Sequence, residues 1–262
     1  MLKIRIVSSY GEIKGEYCSS EIKYIYKGEY SEGDRIEISS DDSKYLSVKP
    51  NFSMKESVVY IPDGVFVFPI PFGDGREAYL ADSWSGNSHE IFARVPTDEE
   101  IYSYRNIAMN SSDYSAADNL FPHASANFVT GDGLAAYSAR NAIDGETKND
   151  SHGRYPNHSY SGGKREDIVF DLDFGQKVQI DKIVLYLRAD FPHDTYWKSL
   201  VFEFSDKSTL QYEPEMTGTP QVISVSKITD NIRIKDFKQA ANPLSFAALS
   251  EIEVYGKIIQ NN

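Results

Sequence analysis

The chain has 262 residues, with 39 Asp and Glu against 27 Lys and Arg, a formal net charge of −12. A hydrophobic content of 40% beside 25% charged residues excludes a disordered chain. The acidic balance argues against nucleic-acid backbone binding and against a basic membrane-surface module, because both need clustered Lys and Arg.

From the N-terminus, Leu2-Lys3-Ile4-Arg5-Ile6 alternates and lacks the apolar run of a signal peptide, so the expectation is a cytoplasmic protein. The single cysteine, Cys18, leaves no internal disulfide framework and no Cys-rich zinc site. No stretch approaches the roughly 18 apolar residues of a membrane-spanning helix. Alternating segments at Lys3–Val7, Ile22–Tyr26, Arg35–Ile38, Val58–Ile61, Val65–Phe68 and Ile91–Val95 read as half-buried strands. Gly28, Gly33-Asp34, Asp63-Gly64 and Asp74-Gly75 supply the turns between them. This spacing predicts a first β-sandwich domain over residues 1–100. Within it, Trp84-Ser85-Gly86-Asn87-Ser88-His89 reads as a polar–aromatic loop packed at the domain joint, in preference to a second sugar site.

Thr97 followed by Asp98-Glu99-Glu100 predicts a capped short helix running to about Tyr104. From Arg105 to about Gly133 the composition turns to Ser, Asn, Ala and Asp with little periodicity, a long structured loop region. The β pattern returns at Ile168–Phe174 and Asp181–Arg188, then at Val201–Phe204, Val222–Val225, Ile232–Ile234 and Ile252–Val254. The fold class is therefore all-β, two β-sandwich domains, the second over residues 101–262.

Two segments of this second domain are distinctive: Asn141-Ala142-Ile143-Asp144-Gly145, and the ending Leu249-Ser250-Glu251-Ile252-Glu253-Val254-Tyr255-Gly256. With Asp171-Leu172-Asp173-Phe174-Gly175, Leu187-Arg188 and the opening Asn106-Ile107-Ala108-Met109-Asn110, they resemble the galactose-binding-like (discoidin, coagulation factor 5/8 type C) domain. Bacterial family 32 carbohydrate-binding modules are particularly similar, over residues 104–257. The resemblance implies a jelly-roll sandwich that binds a carbohydrate, mono- or oligosaccharide, at loops on its rim. The chain departs from the family where a Trp often follows the Asp-Gly turn: here stand His152-Gly153-Arg154-Tyr155-Pro156 and His158-Ser159-Tyr160. That region faces the ligand, so the family's sugars do not carry over.

The resemblance also implies a structural calcium ion. Ca²⁺ takes six to eight oxygens from a tight loop. Asp144 would give a carboxylate and Asn141 a carbonyl, Glu146 and Asn149 further oxygens, and Glu251 with the carbonyl of Ser250 would close the site from the last strand.

Three of the five histidines, His152, His158 and His193, fall close together with Tyr155, Tyr160, Arg188, Asp190, Phe191, Tyr196 and Trp197. A sugar presents an apolar C–H face and a polar rim, so its site needs an aromatic platform and fixed donors and acceptors. Trp197 or Tyr155 is the expected platform, and Arg188 with Asp190 the donor–acceptor pair. A zinc site on the three histidines is disfavoured, since the stretch is a Pro-containing loop. No phosphate loop, nucleophile elbow or zinc-protease helix is present, so the expectation is a non-catalytic carbohydrate-binding protein. The rivals are a module that docks a protein partner, and an accessory part of a glycan-processing hydrolase or lyase.

Overall fold

In the computed structural model, which describes residues 1–241 and 245–260, the first eight strands are β1 (Leu2–Val7), β2 (Ile13–Ser19), β3 (Glu21–Tyr26), β4 (Arg35–Ser40), β5 (Tyr45–Lys49), β6 (Ser57–Tyr60), β7 (Val65–Pro69) and β8 (His89–Arg94). They form two antiparallel four-stranded sheets, in the orders β2-β1-β4-β7 and β3-β8-β5-β6. Alternation dictates which side chains face inward. Ile4 and Ile6 of β1, Ile36 and Ile38 of β4, and Phe66 and Phe68 of β7 are fully buried, as period-2 residues on one face of a strand must be. Trp84 lies in this core, stacked on Phe68 with centroids 5.4 Å apart and meeting Tyr79 edge-on. His89 is buried too, 4.1 Å from the Tyr30 ring. Trp84 and His89 thus pack within the first sandwich and not at a domain joint, while residues 85–88 between them are exposed.

The short helix α1 (Asp98–Tyr102) follows, with Thr97 and Glu100 closing a reciprocal capping box. The second set of strands is β9 (Arg105–Asn106), β10 (His123–Ala126), β11 (Phe170–Leu187), β12 (Trp197–Phe204), β13 (Thr209–Tyr212), β14 (Gln221–Gln239) and β15 (Leu249–Ile258). Their order is β13-β12-β14-β11-β15-β9, with β10 on the outer half of β11. Two segments expected as separate strands, Ile168–Phe174 and Asp181–Arg188, are one continuous strand of 18 residues. Gly175, at φ +64, takes the left-handed conformation inside it, and its N–H is held by Asp173 Oδ1 at 2.8 Å. The pairing of β11 with β14 loses register between Asp173 and Val178 and again between Ile180 and Lys182. Bulges of this kind bend a strand and let it serve both faces of a sandwich. Val222–Val225 and Ile232–Ile234 likewise merge into the 19-residue β14.

The irregular stretch after α1 joins the two cores. Ile107, Ala108 and Ala124 belong to the second core, whereas Ala117 and Leu120 between them pack into the first. Phe121 and Tyr60 exchange backbone hydrogen bonds at 2.8 and 2.9 Å. On β15, Gly256 pairs with Ile180 at the β11 bulge. A Cβ there would lie 2.2 Å from the Gln179 carbonyl oxygen, and neither backbone can yield. Gly256→Ala is therefore expected to destabilise the protein by about 1–3 kcal/mol, read as a lowered midpoint of urea unfolding.

Candidate functional site

Strand β11 delivers its last residues to the rim of the second sandwich, where two loops meet it. Ala189 N–H donates to the Asn149 carbonyl at 2.7 Å, pinning the loop after the Asp144 turn beside the strand end. The chain then reverses through Asp190–His193, closed by a His193 N–H to Asp190 O hydrogen bond of 2.7 Å. Phe191 stands at the tip of this turn and is 87% exposed. Below it, the buried Asp190 carboxylate pairs through Oδ2 with Nδ1 of the exposed His152 and lies 3.0 Å through Oδ1 from Arg188 Nε. The Arg188 contact is an ion pair without the alignment of a hydrogen bond. The rings of His152 and His193 meet edge-to-face with centroids 5.3 Å apart. Asp190, His152 and His193 are thus brought together by the turn that carries the exposed Phe191. Beside them an open groove of about 200 Å³ runs between Arg188, Asp194, Tyr196, Met216 and Thr217.

Several expected ligand residues do other work. Arg188 is 3% exposed, and its Nη2 donates to His193 O at 3.0 Å, to Ser245 Oγ at 2.9 Å and to the Phe246 carbonyl. Those donors are spent on the protein, so Arg188 braces the turn from beneath. Trp197 is 2% exposed and packed on Phe237 at 4.9 Å, which leaves no open face for a sugar. Tyr160 is wholly buried against Phe170, its hydroxyl donating to Phe128 O at 3.3 Å. His158 is buried, with Tyr155 stacked on it at 5.4 Å. Tyr196 is half-buried against the second core. The cluster expected as one site is therefore two: His152, Asp190 and His193 at the rim, and Tyr155 with His158 deeper, on the Asp144 turn.

That turn tests the calcium expectation. Asp144 Oδ2 lies 2.5 Å from His158 Nε2 and 3.4 Å from Arg140 Nη2, and Oδ1 accepts the Glu146 N–H at 2.9 Å. Burial pushes the Asp144 carboxyl up, but His158 and Arg140 outweigh it and hold it below the usual aspartate range. Both carboxylate oxygens of the fully buried Glu251 accept the Gly145 N–H, at 3.1 and 3.2 Å. Burial first, then the charge of Asp144, drive Glu251 well above the ordinary glutamate range, against the pull of Gly145 N–H and Lys55. The Gly145 carbonyl accepts from Lys55 Nζ. The Asn141 side chain, as distinct from the backbone carbonyl expected as a ligand, accepts from Arg140 at 3.0 Å through Oδ1, while the Asn149 amide donates to Leu187 O and Gly218 O. Ser250 is buried beside a register break in β15. A calcium ion needs these oxygens converging and free. Here protein donors engage the carboxylates of Asp144 and Glu251, and among the described residues no three His, Cys, Asp or Glu side chains are placed to hold a metal. Carboxylates engaged in this way do not fit calcium.

Two residues carry more than the sequence reading gave them. Phe191 was visible as an aromatic before proline in a charged turn, but its exposure depends on the turn closing beneath it. Lys55 left no local signal, since it meets Gly145 across 90 residues of sequence.

No protein-family model matches the sequence, and no curated protein matches it. Solved structures similar to part of the chain include a chitosan-binding module from a chitosanase/glucanase of Paenibacillus sp. IK-5, at 17% identity and TM-score 0.40, covering 58% of this chain and 99% of that one. The lectin domain of lectinolysin, solved with Lewis B antigen, is similar at 17% identity and TM-score 0.41, over 57% of this chain and 95% of that one. The family 32 carbohydrate-binding module of C. perfringens NanJ, solved with galactose, is similar at 15% identity and TM-score 0.36, over 50% of this chain and 91% of that one.

The rim separates structural from surface residues in a measurable way. Arg188→Ala removes the buried cation beside Asp190 and the brace beneath the turn, and is expected to cost about 3–5 kcal/mol of stability. Phe191→Ala, at an exposed tip, is expected to stay within about 0.5 kcal/mol of wild type. Urea unfolding of the two variants checks both.

Proposed function

We propose that this is a non-catalytic carbohydrate-binding protein whose ligand lies across the Asp190–His193 turn. The observation that carries the reading is the Phe191 ring, 87% exposed on a turn whose neighbouring polar groups are fixed. A lone exposed aromatic is ordinary on a protein surface. This one sits in the turn between Asp190 and His193, where the Asp190 carboxylate is paired with the His152 imidazole and the His193 ring lies 5.3 Å from that of His152. A sugar ring lays its C–H face on such an aromatic, and its hydroxyls bond to side chains that each donate or accept. The buried Arg188 beneath supports the reading as well, since a site is precise when its first contacts are held from behind. Tyr196 and the groove beside it extend the surface for a further sugar unit.

The test is a glycan array followed by calorimetric titration of the best ligand. Phe191→Ala is expected to weaken binding at least about tenfold, or about 1.4 kcal/mol, with melting temperature unchanged, and His152→Ala to weaken it as much while lowering the melting temperature, because it strips buried Asp190 of its hydrogen-bond partner. Absence of any glycan binding, or wild-type affinity in a folded Phe191→Ala variant, would overturn the proposal.

A further inference from the structure

The Asp144–Gly145 turn holds two buried carboxylates, and buried charges persist only when paired. On one side Arg140, 5% exposed, reaches Asp144 and donates to Ser111 O at 3.1 Å. On the other, the exposed Lys55 comes from the loop between β5 and β6 of the first sandwich and donates from Nζ to the Gly145 carbonyl, from where its charge acts on Glu251 without a direct ion pair. Its position is fixed at both ends. The Lys55 carbonyl accepts from Ser111 Oγ, and Ser111 N–H in turn donates to Ser57 Oγ at 3.0 Å. At the far end the lysine stem lies on Gly145, at φ +84, where a Cβ would meet Lys55 Cδ at 3.0 Å and Nζ at 3.4 Å. The turn presents a bare backbone to the lysine, and the same glycine holds Glu251 through its N–H.

We propose that the ammonium group of Lys55 is the resident cation of this turn, so that the second sandwich is held closed without calcium and is fastened to the first by the same charge. A divalent ion at this turn would meet the Lys55 ammonium already on the Gly145 carbonyl, one residue from Asp144, and would find Asp144 engaged by His158 and Arg140. The inference stands apart from the sugar reading, because it concerns the loop's stability and not what the rim binds.

Thermal melting of the full chain tests it. Wild-type protein is expected to melt at one temperature in 5 mM EDTA and in 5 mM CaCl₂, concentrations chosen to be on the order of saturating for an ordinary extracellular calcium site. Lys55→Met keeps the stem and removes the charge. It is expected to melt about 2–4 °C lower and to recover on adding calcium, the cation that can then enter. Lys55→Arg, which keeps the charge, is expected to melt closer to wild type than Lys55→Met. A calcium-dependent rise in the wild type, or a Lys55→Met variant that melts as wild type does, overturns the proposal.

Discussion

The hydrogen bonds between Gly145 N–H and the Glu251 carboxylate tie the long connection between β10 and β11 to the last strand of the second sandwich, and much of the surrounding geometry answers to that contact. Glu251 is fully buried, and the aspartate one residue before the glycine is buried with it. Two carboxylates in a low-dielectric site repel each other and lack water, so the turn must recruit donors from every direction. His158 comes from the following loop and Arg140 from the 3₁₀ turn before. Lys55 comes from the other sandwich. Each brings its own segment into place, which is how a single pair of acids positions a loop, a turn and a neighbouring domain.

The rim repeats this logic on a smaller scale. Asp190 is buried, and its two oxygens face His152 and Arg188. Arg188 in turn satisfies His193 O, Ser245 Oγ and Phe246 O, joining the strand end to the approach of β15. The exposed parts, Phe191 and the outer faces of His152 and His193, stand on this buried frame. Charge inside and aromatics outside is the arrangement that a recognition surface needs, since the groups that contact a ligand keep their geometry only if something beneath them is rigid.

How far the sequence discloses this depends on the range of the interaction. Alternation reveals most strands, because burial with period 2 is local, and the capping box of α1 is legible within four residues. The Asn141–Gly145 and Leu249–Gly256 segments point to one another only through a resemblance, yet the structure does bring them together. Trp197 is misplaced for a definite reason. β12 buries Trp197, Leu200, Phe202 and Phe204, and the step of three at its start comes from register breaks between Trp197 and Val201. Parity read from the clear part of the strand does not carry across a bulge. Lys55 is hidden more deeply: an ordinary lysine in a polar loop becomes a cation for a turn only after two cores have folded and docked.

The first sandwich carries no ligand motif, and the docking assigns it a role all the same. The chain passes from the second core at Ile107 and Ala108 into the first at Ala117 and Leu120, and returns to the second at Ala124. The cores are therefore interleaved along the sequence, and contacts such as Arg154 with Glu77 at 2.8 Å reinforce the seam. A metal ion in the Asp144 turn would make the loop answer to the solution outside. A lysine from the neighbouring sandwich makes it answer to that sandwich. The loop carrying Asn149, which is hydrogen-bonded to the strand end below Phe191, begins at this turn. The order of the rim is in this way linked through Gly145 to the docking of the first sandwich.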